Sequence, residues 1–226
     1  MHFGTRSYRD IGLLVAVLIG LTASPSSVRA QTAAAAEDSV AKLSSGAENT
    51  SDIDVAALRQ TVTERVKSKV DNIALKRPPV FPQLLKLPRL ILEIQFDEDT
   101  AIIRPASYRT IGRIADTLLN PALLPYRFLI IGHSVSTGRR DLNLTLSQRR
   151  ADSVRDVLIN TFKIQAKRLQ AIGLGEEQLL DSARPTAPVN QQLEVATLGI
   201  LAPEAAAPVR VPDKPSKSSP KVQKKR

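Results

Sequence analysis

A chain of 226 residues, 42% hydrophobic and 24% charged, has the length for one domain with appendages or for two small domains. It contains no Cys, which excludes a disulfide framework, thiolate-bound zinc and thiol catalysis. Two histidines, His2 and His133, are too few for a multi-histidine metal site, and the formal charge of +10 points to anionic partners.

In chain order, Arg6 and Arg9 precede an apolar run from Ile11 to Leu21. A membrane-spanning helix needs about 20 apolar residues, so this run is short for one. With Val28 and Ala30 as small residues before a cut, residues 1–30 are expected to be a secretory signal peptide cleaved after Ala30. Export argues against nucleic acid as the partner of a basic chain. Cell-wall anions, lipid headgroups and acidic proteins remain. Residues 31–52, rich in Ala, Ser, Thr, Glu and Asp, read as disordered. Leu58, Val62, Val66, Val70 and Ile73 recur every three to four residues, predicting an amphipathic helix over about 53–75. That helix either lies on the domain or pairs with a partner helix. Pro78, Pro79, Pro82 and Pro88 then predict an extended linker.

The folded unit is expected over 89–202. Leu90 to Phe96 reads as a strand, and Pro105 opens a helix with Ile111, Ile114, Ala115, Leu118 and Leu119 on one face. Arg127 to Ile131 reads as a central apolar strand. A polar loop over 132–141 leads into a helix over about 142–162, with Leu146, Ala151, Val154, Leu158 and Phe162 inward. Leu169 to Gly173 and Gln192 to Leu198 are the last two strands. The order β-α-β-α-β-β predicts an α+β two-layer sandwich, with two main helices packed on one mixed four-stranded sheet. Residues 203–226 hold five prolines and seven basic against two acidic side chains, so half the net charge sits in a disordered basic tail. Such a tail suits an anionic wall or membrane surface.

The informative stretch is Gly132 to Ala151, between the second strand and the following helix. A serine-hydrolase elbow is a poor reading of it. Ser136 stands where the second glycine of that turn should be, and no histidine follows His133 to serve Ser134. Glu176 and Glu177 are sequence neighbours and need not face one pocket as an acid/base pair. No phosphate-binding glycine loop is present. No catalytic residue, metal or cofactor is expected.

Gly132-His133-Ser134-Val135-Ser136-Thr137-Gly138, then Asn143-Leu144, then Leu146-Ser147-Gln148-Arg149-Arg150-Ala151, resembles the OmpA C-terminal-like domain, also found in Pal and MotB. That family shows G-H-T-D-x-x-G followed by Y-N-x-x-L-S-x-x-R-A, and the spacing matches without a gap. Phe96-Asp97, Gly173-Leu174-Gly175-Glu176 and Asn190 with Val195 fit the flanks. The resemblance implies a periplasmic, envelope-associated, non-enzymatic module. It would bind peptidoglycan non-covalently through the diaminopimelate of the stem peptide. It implies a ligand Arg at Arg150 and a ligand Asp at position 135, where this chain has Val135. Asn143, Ser134 and Ser136 complete the implied ligand-binding set. Val135 cannot accept a hydrogen bond through its side chain or offset an ammonium charge, so weaker or altered binding is expected. The alternative is a diverged module that has lost peptidoglycan and holds an envelope protein instead. Arg139 and Arg140 are expected to add positive charge to the same loop.

Overall fold

The computed structural model describes residues 25–46, 53–68 and 78–201. The apolar run of the expected signal segment, the basic tail, and Val70 and Ile73 of the predicted helix lie outside them. Four helices are α1 (Pro25–Ser44), α2 (Val55–Lys67), α3 (Tyr108–Leu118) and α4 (Arg140–Asn160). Four strands are β1 (Arg89–Leu92), β2 (Tyr126–His133), β3 (Leu169–Gly175) and β4 (Leu193–Ile200).

The strands form one mixed sheet in the order β1-β4-β2-β3. The β2–β3 pair is parallel, while β4 runs antiparallel to both β1 and β2. This is the expected α+β sheet, with α3 and α4 on one face. Alternation along β2 sends Phe128 and Ile130 towards those helices. There they meet Leu118 of α3 and Ala151, Val154 and Leu158 of α4.

The opposite face is also covered. Leu129, Ile131, Ile172, Leu174, Ala196 and Leu198 point to it, and all are buried. Val55, Leu58 and Val62 of α2 close over them, together with Phe81, Leu84 and Leu87. The helix therefore lies on the domain, its apolar stripe spent against the sheet. Asp54 starts it by accepting from Ala56 N at 2.8 Å and Ala57 N at 3.2 Å. The segment expected to be an extended proline-rich linker is instead packed into the core through Phe81, Leu84 and Leu87. Pro82 opens a short 3-10 turn, and Leu84 is fully buried. The physical reason is the apolar residues set between the prolines, which the sheet needs as cover.

The expected disorder of 31–52 is also corrected over part of its length. α1 runs to Ser44, and Leu43 is buried against the α3 face of the core. Thr197 Oγ1 donates to Leu43 O at 2.7 Å. Polar Ser, Thr, Glu and Asp make this segment read as disordered, but its alanines have the highest helix propensity. Residues 47–52 lie outside the described residues. The expected cleavage position after Ala30 falls within α1.

α4 approaches the sheet closely because two strand positions lack a side chain. A Cβ on Gly132 would lie 2.2 Å from Ser147 O, and one on Gly173 would lie 2.2 Å from Gln148 N. Ser147 is fully buried, while Leu146, expected inward, turns towards a cleft. β3 is a sheet edge, and helix side chains occupy its outward polar groups. Arg155 Nε donates to Leu169 O at 3.2 Å, and Arg59 donates to Ala171 O. Gln148 Oε1 and Ser147 Oγ accept from Gly173 N and Gly175 N. The strand thus has little left to offer another chain.

Candidate functional site

The loop from Ser134 to Arg139 leaves the end of β2 and is held from beneath by Glu176. This buried carboxylate accepts from Thr137 N at 3.1 Å, Gly138 N at 3.3 Å and Asn143 Nδ2 at 2.6 Å. Three converging N–H donors are what a buried carboxylate requires. Ser134 N donates to Gly175 O at 2.9 Å, and Ser136 N donates to Pro185 O at 3.0 Å. Pro185 is itself fixed by Asn190, which is fully buried. The Asn190 side chain accepts from Asp181 N and donates to the carbonyls of Asp181, Arg184 and Pro185.

The positive charge expected from Arg140 does not reach the loop. α4 begins at Arg140, and its guanidinium turns away to bind Glu177 through Nε at 2.7 Å and Nη2 at 2.8 Å. Arg65 of α2 lies 3.4 Å from the same carboxylate. A buried Arg must find an acid, and Glu177 is the acid at that depth. Arg139 does line the cleft.

Four of the five expected site residues meet in one cleft of about 620 Å³: Ser134, Val135, Asn143 and Arg150. Ser136 is not among its lining residues. Ser134 is buried, and its Oγ donates to Val135 O at 3.1 Å. Asn143 sits in the first turn of α4 rather than capping it. Its Nδ2 spans Glu176, Thr137 Oγ1 at 2.9 Å and Val135 O at 3.4 Å, so it holds the loop. Val135 is half-buried and gives the wall an apolar patch. His133 faces the sheet interior. Its Nδ1 donates to Gln178 O at 2.8 Å, and its Nε2 lies 3.3 Å from Glu194. Neither ring nitrogen is bonded to Ser134.

Arg150 forms the floor. It is 7% exposed, with Nε donating to Thr100 O at 2.9 Å and the guanidinium 5.0 Å from the Phe96 ring centre. The ring face favours the cation. Burial pulls the guanidinium below its ordinary value, and the nearby Asp99 carboxylate opposes that shift. An arginine stays charged under such a pull. Among the described residues Arg150 forms no ion pair, so its two terminal nitrogens are left for the cleft. Glu98 and Asp99, from the turn after Phe96, and Gln191 complete the rim. The sequence reading missed Glu98, Asp99 and Thr100. It also missed the supporting roles of Glu176 and Glu177, whose only signal was their place after Gly173-Leu174-Gly175.

Residues 95–192 match the model of the OmpA family. They are an OmpA family domain. Outer membrane porin F of Pseudomonas aeruginosa is 34% identical over 98 residues, covering 43% of this chain and 27% of the porin. Probable lipoprotein YiaD of Escherichia coli is 39% identical over 82 residues, covering 36% of each chain. A peptidoglycan-associated lipoprotein of Mesorhizobium japonicum is 34% identical over 85 residues, covering 38% of this chain and 49% of the lipoprotein. The chain thus spans between about a quarter and a half of the curated relatives it matches. Among solved structures, the OmpA-like domain of FopA1 from Francisella tularensis aligns with a TM-score of 0.42 and 17% identity. That alignment covers 50% of this chain and 75% of the other. The OmpA family match contains the whole cleft, while α2, the Phe81–Leu87 segment and β1 precede it.

Proposed function

We propose that this OmpA family domain associates non-covalently with peptidoglycan in the cell envelope, taking the diaminopimelate end of a stem peptide into the cleft floored by Arg150. The observation that carries the reading is Arg150 itself. It is buried, fixed at Nε and stacked on Phe96, with its two remaining nitrogens free for a carboxylate. Such a fork is matched to a carboxylate and holds it in one orientation. A relative named as a peptidoglycan-associated lipoprotein, and others named as outer membrane proteins, support the envelope setting. The domain works by binding, and no cofactor is required. Val135 lowers affinity or changes ligand choice at the 135 position. The basic tail adds adhesion to an anionic wall or membrane surface.

Sedimentation of the full chain with purified sacculi, at low and moderate salt, tests this. The wild type is expected to pellet at both salt concentrations, and Arg150→Ala to pellet only weakly at low salt, through the tail, and to remain in solution at moderate salt. If neither pellets at low salt, the proposal is wrong.

The second reading, an envelope protein-interaction module without peptidoglycan binding, is favoured by one observation. The cleft wall is apolar at Val135. The stripe of α2 over 55–67 does not serve that reading, because the sheet already covers it. If Val135→Asp pellets while the wild type does not, this second reading takes its place.

A further inference from the structure

The cleft holds a negative pole that neither the sequence motif nor the family match assigns. The turn after Phe96 closes through Asp97 N to Ile102 O at 2.9 Å and Thr100 N to Asp97 O at 3.1 Å. Asp99 stands within it at φ 52°, a conformation that Asp and Asn adopt more readily than most residues. The first carboxylate of this turn is used locally, since Asp97 accepts from Arg104 Nε at 3.1 Å. Asp99 is different. It is exposed and lines the cleft, with no hydrogen bond or ion pair to its carboxylate among the described residues.

Its position relative to Arg150 is fixed by the backbone. Thr100, the next residue, supplies the carbonyl that anchors Arg150 Nε. That bond and the Phe96 ring set the guanidinium plane. Asp99 is close enough to act electrostatically on Arg150, yet the two do not close into an ion pair. Two opposite charges thus share one cleft, each with unused bonding capacity. That arrangement is complementary to a ligand carrying both signs. Arg139 and Arg149 also line the cleft, and Glu98 is a second carboxylate on its rim. The surplus of cations alone would favour a simple dicarboxylate, so a rim carboxylate is what would admit an ammonium, and Asp99 is the one set beside the Thr100 anchor of Arg150.

We propose that Asp99 is the ammonium acceptor of this cleft, so that a zwitterionic amino-acid head sits with its ammonium on Asp99 and its carboxylate on Arg150. Val135 then packs against the ligand's methylene chain. This inference rests on the peptidoglycan reading above and adds the residue that replaces position 135.

The test is calorimetric titration of the full chain with two probes. One is meso-diaminopimelate. The other is pimelate, which has the same carboxylates and no ammonium. Wild type is expected to prefer diaminopimelate. Asp99→Asn keeps the turn and is expected to lose about tenfold or more for diaminopimelate, with little change for pimelate. Adding Val135→Asp to Asp99→Asn is expected to restore the preference, while Glu98→Gln alone changes affinity by less than about twofold. The proposal is overturned if wild type binds both probes equally, or if Asp99→Asn retains diaminopimelate within twofold. Failure of the underlying reading looks different: wild type then binds neither probe and does not pellet with sacculi.

Discussion

Glu177 receives Arg140 through two bonds, of 2.7 and 2.8 Å, and lies 3.4 Å from Arg65. One buried carboxylate thus joins the start of α4 to the end of α2. Arg140 Nη2 adds a bond to Arg65 O at 3.2 Å. The helix outside the family match is thereby tied to the helix that carries the cleft.

Glu177→Gln should therefore be costly. It removes the acid from a guanidinium that is 8% exposed. Removing one partner of a buried pair typically costs about 3–5 kcal/mol. Urea denaturation should show a loss in that range. The double variant with Arg140→Met should recover part of it, because the more deeply buried of the two guanidinium groups is then gone and only the more exposed Arg65 lacks its acid. A loss below about 1 kcal/mol for Glu177→Gln would mean that the pair is not desolvated in solution.

Gly173→Ala tests the closeness of α4 to the sheet. The added methyl meets Gln148 N at 2.2 Å and Ser147 Oγ at 2.6 Å, so backbone must move. Overpacking of this kind costs about 1–3 kcal/mol, and here the obstacle is mainly helix backbone rather than a flexible side chain. Because α4 also presents Arg150, sacculus binding is expected to fall together with thermal stability. Gly112→Ala is the control. Its methyl meets only the Phe162 ring at 3.7 Å, and alanine favours the helix.

The sheet and α3 were legible from apolar periodicity, and α4 from Ala151, Val154 and Leu158, although its stripe is broken where Leu146 turns to the cleft and Ser147 is buried instead. Position 150 was legible from a spaced motif, and the fold brings it into one cleft with Ser134, Val135 and Asn143. Asp99 was not, because nothing in its local pattern says that the turn after Phe96 folds over α4. Nor was the direction of Arg140, since adjacent arginines in a loop carry no sign of which one finds a buried acid 37 residues later. The covered second face was half legible. Leu129, Ile131, Ile172 and Leu174 leave the flanking strands without a polar side, which requires cover on both faces. The prolines at 78–88 obscured what supplies it, since Phe81, Leu84 and Leu87 are too few to form a periodic pattern.

That cover yields a third expectation. Leu84 is fully buried, and Leu58 is 8% exposed. Leu84→Ala should cost about 2–5 kcal/mol, as for other large-to-small changes in a core. A fragment confined to 89–201 should behave worse than Leu84→Ala. It bares Leu129, Ile131, Ile172, Leu174, Ala196 and Leu198 at once. An exposed patch of that kind promotes association. Light scattering and binding of a hydrophobic dye should both rise for the fragment relative to the full chain. Equal behaviour of the two would show that α2 is dispensable cover.

Arg150→Lys separates charge from geometry at the floor of the cleft. Lysine keeps the positive charge but gives up the planar fork, the Nε bond to Thr100 O and the guanidinium's stacking on Phe96. If simple attraction to an anionic wall drives association, Arg150→Lys should pellet with sacculi like the wild type and respond equally to salt. If a carboxylate is held by the fork, Arg150→Lys should weaken pelleting nearly as far as Arg150→Ala, at moderate salt as well as low. Loss of one charge-assisted hydrogen bond corresponds to about 1.5–3 kcal/mol, or roughly 10- to 150-fold in affinity. Thermal denaturation of each variant is measured alongside, because Arg150 also anchors the Thr100 turn. The second outcome is expected, since the structure fixes Arg150 at Nε and on one ring face, leaving its outer edge for the ligand.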